Sequence, residues 1–274
     1  MLSIRNNLMS DTAARYVSES YEALSTSVVR LSSGLRIVGA SDDAAGLAVR
    51  ELMRSDIAAM RQATRNAQDA VSMLQTAEGA LQATDNLLVR MKELAEQASS
   101  GTYNGAQRGV INAEFQQMAA EIDRIAGSTA FNGIAVLDSA HGTLTVQVGL
   151  KGISADQITV ALADMTAAGL KLAGVGVDTQ GHAAAALARL DSAIALKDAT
   201  RAQFGYKMNR LEATVNVLTI QTENLQTAES SISDVNVAQE MTALTRDQVL
   251  AQTGTAVLAQ ANTLPELALR LLSA

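Results

Sequence analysis

The stretch DAAGLAVRELMRSDIAAMRQATRNAQDAVSMLQTAEGALQATDNLLVRMKELAEQASS, residues 43–100, decides how the rest of this 274-residue chain must be arranged. It has no proline and, after Gly46 in its opening turn, a single internal glycine, Gly79. One stripe along it reads Met60, Ala63, Ala67, Ala70, Leu74, Ala77, Leu81, Thr84, Leu88, Met91, Ala95, Ala98, and only Thr84 is polar. Alternating steps of three and four make a heptad seam, the mark of a long helix packed lengthwise against another. A helix of this length would run roughly 85 Å, beyond the diameter of a compact domain of this mass. The stretch therefore predicts a mainly α chain, built as an elongated rod of long antiparallel helices.

Working outward toward the N-terminus, Val17, Tyr21, Leu24, Val28, Leu31 and Leu35 repeat at helical spacing and form a second seam. Between the two helices Gly34 and Gly39 interrupt the backbone, and Ser41 or Asp42 can cap the next helix. Asp42 and Asp43 fall where the helix dipole favours carboxylates, so they read as cap and dipole partners rather than as an acid–base pair.

In the other direction, the turn through Gly101 and Asn104-Gly105 leads to a return helix expected over about 106–126, with Val110, Phe115, Met118, Ile122 and Ile125 on its inner face. From Phe131 the period becomes two, in Leu144, Val146, Val148 and then Ile158, Val160, Leu162, punctuated by Asn132-Gly133, His141-Gly142 and Lys151-Gly152. A β-hairpin region at about 131–165 follows, expected as a small surface knob. Helical signal resumes near His182 and continues through Leu190, Ile194, Leu211, Val215, Leu218, Leu225 and Ile232 to a break around Ser233-Asp234. The last segment is apolar on several faces: Met241, Leu244, Val249, Leu250, Val257, Leu258, Leu264, Leu267, Leu271. A helix buried on one side does not need that, and the excess marks an assembly surface.

Composition narrows the function. A net charge of −7 with no cluster of Lys and Arg among aromatics argues against nucleic acid as a partner. There is no cysteine for disulfides, thiolate chemistry or thiolate metal sites. No run approaches the ~18 apolar residues of a membrane span, and Met1–Asp11 lack the basic and apolar regions of a cleaved secretory signal. His141 and His182 stand 41 positions apart without a carboxylate array, and Asp138 near His141 reads as surface decoration. Phosphate loops, dinucleotide fingerprints and nucleophile elbows are absent, so no cofactor, metal or catalytic residue is expected, and the chain does not read as an enzyme.

Several motifs carry a family resemblance, in order along the chain. They are Asn6-Asn7-Leu8; Leu31-Ser32-Ser33-Gly34-Leu35-Arg36-Ile37 running on to Ala48; Arg90-Met91-Lys92-Glu93-Leu94-Ala95; Glu121-Ile122-Asp123-Arg124-Ile125-Ala126 with Phe131-Asn132-Gly133; and Gln248 to Asn262. Together they closely resemble the terminal signatures of bacterial flagellins, in a short form without the large outer domains.

The resemblance implies a secreted structural subunit that assembles with itself into the helical flagellar filament of a swimming bacterium, exported without a cleaved signal peptide. It implies an inner coiled coil made by residues 1–42 and 233–274 and a rod over 43–232. Inner-domain assembly would then fall on Val17, Tyr21, Leu24, Val28 and Leu31 with Met241, Leu244, Val249, Leu258, Leu267 and Leu271. Arg90, Leu94 and Glu114 would form an outward subunit interface, also read by an animal Toll-like receptor. Further implied partners are an export chaperone on the C-terminal segment, the flagellar export apparatus, and cap and junction proteins. The rival readings are a hook–filament junction protein and, in another class, a soluble helical binding protein.

Overall fold

The computed structural model describes residues 6–138 and 142–272, with side chains as far as Leu264. His141 therefore lies outside the described residues, as do the side chains of Leu267 and Leu271. The elements are α1 (Leu8–Ser33), α2 (Ala44–Ser99), α3 (Gly105–Ser128), β1 (Ala130–Phe131), β2 (Ile134–Ala135), β3 (Thr143–Gln147), β4 (Gln157–Ala161), α4 (Gln180–Ser233) and α5 (Val237–Leu272). They divide into two compact units, Met1–Ser55 with Asn224–Ala274, and Asp56–Glu223.

The larger internal core belongs to Asp56–Glu223. The predicted stripe of α2 is buried, with Ala67, Leu74, Leu81, Leu88, Met91, Ala95 and Ala98 at 1% exposure or less. Facing it, α4 buries Ala183, Ala186, Leu190, Ala193, Lys197, Thr200, Phe204 and Leu211, again in heptad steps. Three ion pairs, Glu78–Arg201 at 3.1 Å, Asp85–Lys197, and Lys92–Asp191 at 2.6 Å, fix the two helices antiparallel. α3 opens with a capping box in which Asn104 and Gln107 satisfy each other's backbone N–H groups. Arg108 then reaches back to the end of α2 and the residue after it, donating to Ala98 O and Ser100 O at 2.9 Å each. The inner face of α3 is Ile111, Phe115, Ile122 and Ala126, while Val110 is 72% exposed. Val110 was expected inside. It loses the position to Ile111, which keeps the three-to-four spacing with Phe115.

The strands are not a surface knob. Val136, Leu137, Val146, Ile158 and Val160 join the same core. β1 and β2 turn tightly through Asn132 and Gly133, both at positive φ (50° and 78°), as a two-residue hairpin requires. β3 and β4 pair antiparallel in the register Thr143↔Ala161 to Gln147↔Gln157. Residues 162–179 then cross without helix or strand, yet bury Leu162, Met165, Leu170, Leu172 and Val177. Buried irregular backbone must find polar partners. Side chains of α3 supply them: Asn112 Oδ1 accepts from Val177 N, Asp123 Oδ1 accepts from Ala167 N, and Gln116 Nε2 donates to Val175 O.

In the other unit α1 and α5 lie antiparallel. Asn7 Nδ2 donates to Ala261 O at 2.8 Å, Ser10 Oγ to Asn262 Oδ1 at 2.6 Å, and Arg30 faces Glu240 at 4.0 Å. Midway, a Cβ on Gly254 would come within 2.8 Å of Val17 Cγ2, so the glycine permits the close approach. Gly34 at φ 73° ends α1, its N–H donating to Arg30 O. The connections on either side run together: Leu35 bridges Asp234, Arg36 N donates to Ser233 O at 2.6 Å, and Val235 N to Gly34 O at 3.0 Å.

Candidate assembly surfaces

The loop between α1 and α2 is organised by its two aspartates, which divide the work differently from the sequence expectation. Asp43 is the cap: its Oδ1 accepts from Gly46 N at 2.8 Å and its carbonyl from Leu47 N. Asp42 instead clamps the loop, Oδ2 accepting from Val38 N and Gly39 N at 3.0 Å each. Those bonds, Gly39 first and Val38 next, hold its carboxyl below the usual range. Arg50, 8% exposed, donates to Ile37 O at 2.8 Å and pairs with Glu51 at 2.7 Å, so the loop is tied to α2 at both ends. A Cβ on Gly46 would lie 2.8 Å from Ile37 Cδ1, which makes this position glycine by space alone.

The α1–α5 pair buries little. Val17, Ser27, Ala251 and Ala261 form its narrow inner seam. Of the residues expected to mediate inner-domain assembly, Val17 is covered by α5; Leu24, Leu31, Leu244 and Leu258 are half-buried; Tyr21, Val28, Met241 and Val249 are exposed. Tyr16, which the sequence reading left out, lines a groove between α1 and α5 together with Leu250 and Val257, the three being 62%, 49% and 59% exposed. The signal for Tyr16 was already in the sequence, as a large apolar ring next to the first position of the stripe, Val17. The two helices together expose far more apolar surface than scattered single residues would, and such a surface is normally covered by another protein.

On the other unit, Arg90 Nε and Nη2 donate to Glu114 Oε1 at 3.1 and 2.8 Å, and Nη1 donates to Glu93 Oε2 at 3.0 Å. Hydrogen bonds to Glu114, then Glu93, hold the guanidinium above its usual range. Arg90 is exposed and Glu114 half-exposed, with side chains 49% and 41% open to solvent. Leu94 is not on this face. At 1% exposure it belongs to the core beside Met91, Ala95 and Ala98. Being one helical turn from Arg90 made it a neighbour along the helix but did not place it outward; α3 and α4 cover that side.

Among the described residues no three His, Asp or Glu side chains are placed to hold a metal ion, and no helix is long and apolar enough to cross a membrane. His182 Nδ1 pairs only with Asp178, at 2.7 Å on the surface.

Comparison with known proteins gives these surfaces their context. Residues 4–141 match the bacterial flagellin N-terminal helical region, and residues 187–272 the bacterial flagellin C-terminal helical region. A flagellin of Halalkalibacterium halodurans is 40% identical over 269 residues, covering 98% of this chain and 99% of its own. The flagellar filament 33 kDa core protein of Treponema phagedenis is 41% identical over 283 residues, with the same coverage. The crystal structure of Bacillus cereus flagellin superposes with a TM-score of 0.51 at 34% identity, over 60% of this chain and 94% of that one. With both terminal regions matched and the identity sustained end to end, the chain belongs to the bacterial flagellins.

Proposed function

We propose that this chain is the structural subunit of an extracellular flagellar filament, polymerising with itself. The observation that carries the reading is the α1–α5 pair, which leaves Tyr16, Tyr21, Val28, Met241, Val249, Leu250 and Val257 uncovered in the single chain. A helical polymer joins two different faces of each subunit and does not close, so growth continues as long as subunits are supplied. Apolar helices left half-covered in the free subunit gain their cover from neighbours.

Residues 1–42 and 233–274 are the inner coiled coil of this polymer in our reading, and the remainder is the rod. An export chaperone would occupy the C-terminal segment before secretion, and the export apparatus, cap and junction proteins would meet the chain on its way to the filament tip. No cleaved signal is needed for that route. Arg90 and Glu114 are the proposed outward contact with a neighbouring subunit, and the element offered to a Toll-like receptor on the free subunit. Exposed ion pairs contribute little to folding. Arg90→Ala should therefore leave melting unchanged while weakening filaments and receptor signalling together.

The deciding experiment raises the concentration of purified chain and follows sedimentation and electron microscopy. Long filaments of uniform diameter, with amide protection rising before Ser41 and after Ser233 on assembly, are the expected result. Chains that remain monomeric at high concentration, with both segments already protected, would instead mark a self-contained helical protein.

A further inference from the structure

The contact between α2 and α4 contains one layer that its packing does not require. Along the α2 seam the only polar residue is Thr84, 1% exposed. Along the α4 seam, Lys197 at 3% and Thr200 at 5% occupy core positions between Ala193 and Phe204. The Lys197 ammonium pairs with Asp85 of α2 and with its own neighbour Asp198, the latter at 2.8 Å. Desolvation opposes the charge, but bonds to Asp198 and Asp85 outweigh it and keep the ammonium above its usual range. Thr84 and Thr200 each turn their hydroxyl to their own helix, on Ala80 O and Leu196 O.

Elsewhere this contact is lined mostly by alanine and leucine, and such a seam fits nearly as well after a slide of one heptad. The charges do not. Glu78, Asp85 and Lys92 sit seven residues apart on α2, opposite Arg201, Lys197 and Asp191. A slide of seven residues one way brings Lys197 to Glu78 but Asp191 to Asp85. The opposite slide brings Arg201 to Asp85 but Lys197 to Lys92. Each wrong alignment loses two favourable pairs, creates one like-charge pair, and places a buried ammonium at the layer of Ala77 or of Met91 in place of Thr84. A single buried polar residue in a heptad seam is known to select alignment at a cost in stability.

We propose that Thr84, Lys197 and Thr200, with Asp85 and Asp198, form a register key that admits one alignment of α2 against α4. The key selects among alignments and does not supply the strength of the contact. Asp85 and Asp198 retain water, with side chains 27% and 60% exposed, so removing the ammonium strands neither carboxylate in a dry interior.

The absence of cysteine gives a clean readout. Ser72→Cys and Ser192→Cys, both exposed and on opposite helices, carry nitroxide labels in the full-length monomer, and electron spin resonance gives the distance distribution between them. The parent should give one narrow distance. Lys197→Met should fold with full helical signal and an unlowered melting temperature, yet add a second population displaced by about 10 Å, one heptad of helix rise. Combining it with Lys92→Glu and Asp191→Lys keeps the native pair and turns the remaining clash, Asp191 against Asp85, into an attraction, so that population should grow several-fold. A folded Lys197→Met variant with the parent's single distance overturns the proposal. So does a variant that unfolds, since the layer would then be a source of stability rather than of alignment.

Discussion

Two helix pairs in this chain are built on antiparallel seams and end up with opposite characters. Where α2 meets α4, the heptad positions of both helices are covered and α3 and the strands close over the remainder, leaving many α2 residues at no exposure. Where α1 meets α5, the covered seam is narrow, and large apolar residues stand open on both helices. The difference is one of supply. Residues 56–223 provide a third helix, two hairpins and a packed irregular segment to complete the core. Among the described residues of its own unit, the α1–α5 pair has no such third layer. One pair is finished by folding, and the other is left to be finished by association.

Deleting residues 237–274, and with them α5, should have the largest effect and divide the two properties fully. Sedimentation should find no polymer at any concentration, while circular dichroism still reports a cooperative melt from residues 56–223. Loss of that melt as well would mean the two pairs are not independent.

Next in size is a cavity in the finished core. Phe115→Ala, at a position with no exposure, should lower monomer stability by about 3–5 kcal/mol in denaturant unfolding. The matched change on the open pair, Val28→Ser with Val257→Ser, should leave unfolding within about 0.5 kcal/mol. It should nevertheless raise the concentration needed for polymerisation by tenfold or more. Equal effects of the two changes on monomer unfolding would erase the contrast.

A smaller effect is expected from Gly254→Val, which drives methyl groups into Val17. Overpacking of this kind costs about 1–3 kcal/mol. Amide exchange should speed up along α1 and α5 while α3 is unaffected.

The mildest test concerns acid. The Asp42 carboxyl is held below its ordinary value of 3.8 by the Gly39 and Val38 amides. A depressed carboxyl contributes its stability fully above the ordinary value, and the contribution is lost as pH falls through the folded value. Asp42→Asn should therefore lower the melting temperature slightly at neutral pH and flatten the acid limb of a melting-versus-pH curve, the difference from the parent disappearing below about pH 4.

How much of this was legible in the sequence depends on whether the partner of a residue is near it along the chain. The stripe from Met60 to Ala98 needs only its own periodicity, and α2 spans Ala44–Ser99, one residue inside the stretch 43–100 at each end. Phe131 to Leu162 announces strands by period, though not that they would be core rather than knob. The stretch from Leu162 to Thr179 carries no period, because its backbone is satisfied by Asn112, Gln116 and Asp123 on a helix some fifty residues earlier. Leu94 failed for a related reason: spacing tells which residues share a face but not which face is covered. Val110 and Ile111 are adjacent apolar residues, and only the packed structure shows that Ile111 is the one turned inward.

The pairing of α1 with α5 also sets an order of events. Asn7 meets Ala261 across 254 residues of chain, among the longest loops this sequence can close. Closure entropy rises only slowly with loop length, but the closure itself cannot begin until the last residues exist. α2, α3 and the hairpins meet partners much closer in sequence. Residues 56–223 can therefore assemble first, and every nascent chain spends an interval with α1 folded or unfolded but unaccompanied. During that interval Asn7 to Ser33 is the stretch with apolar positions and no mate, which makes it the segment most dependent on timing.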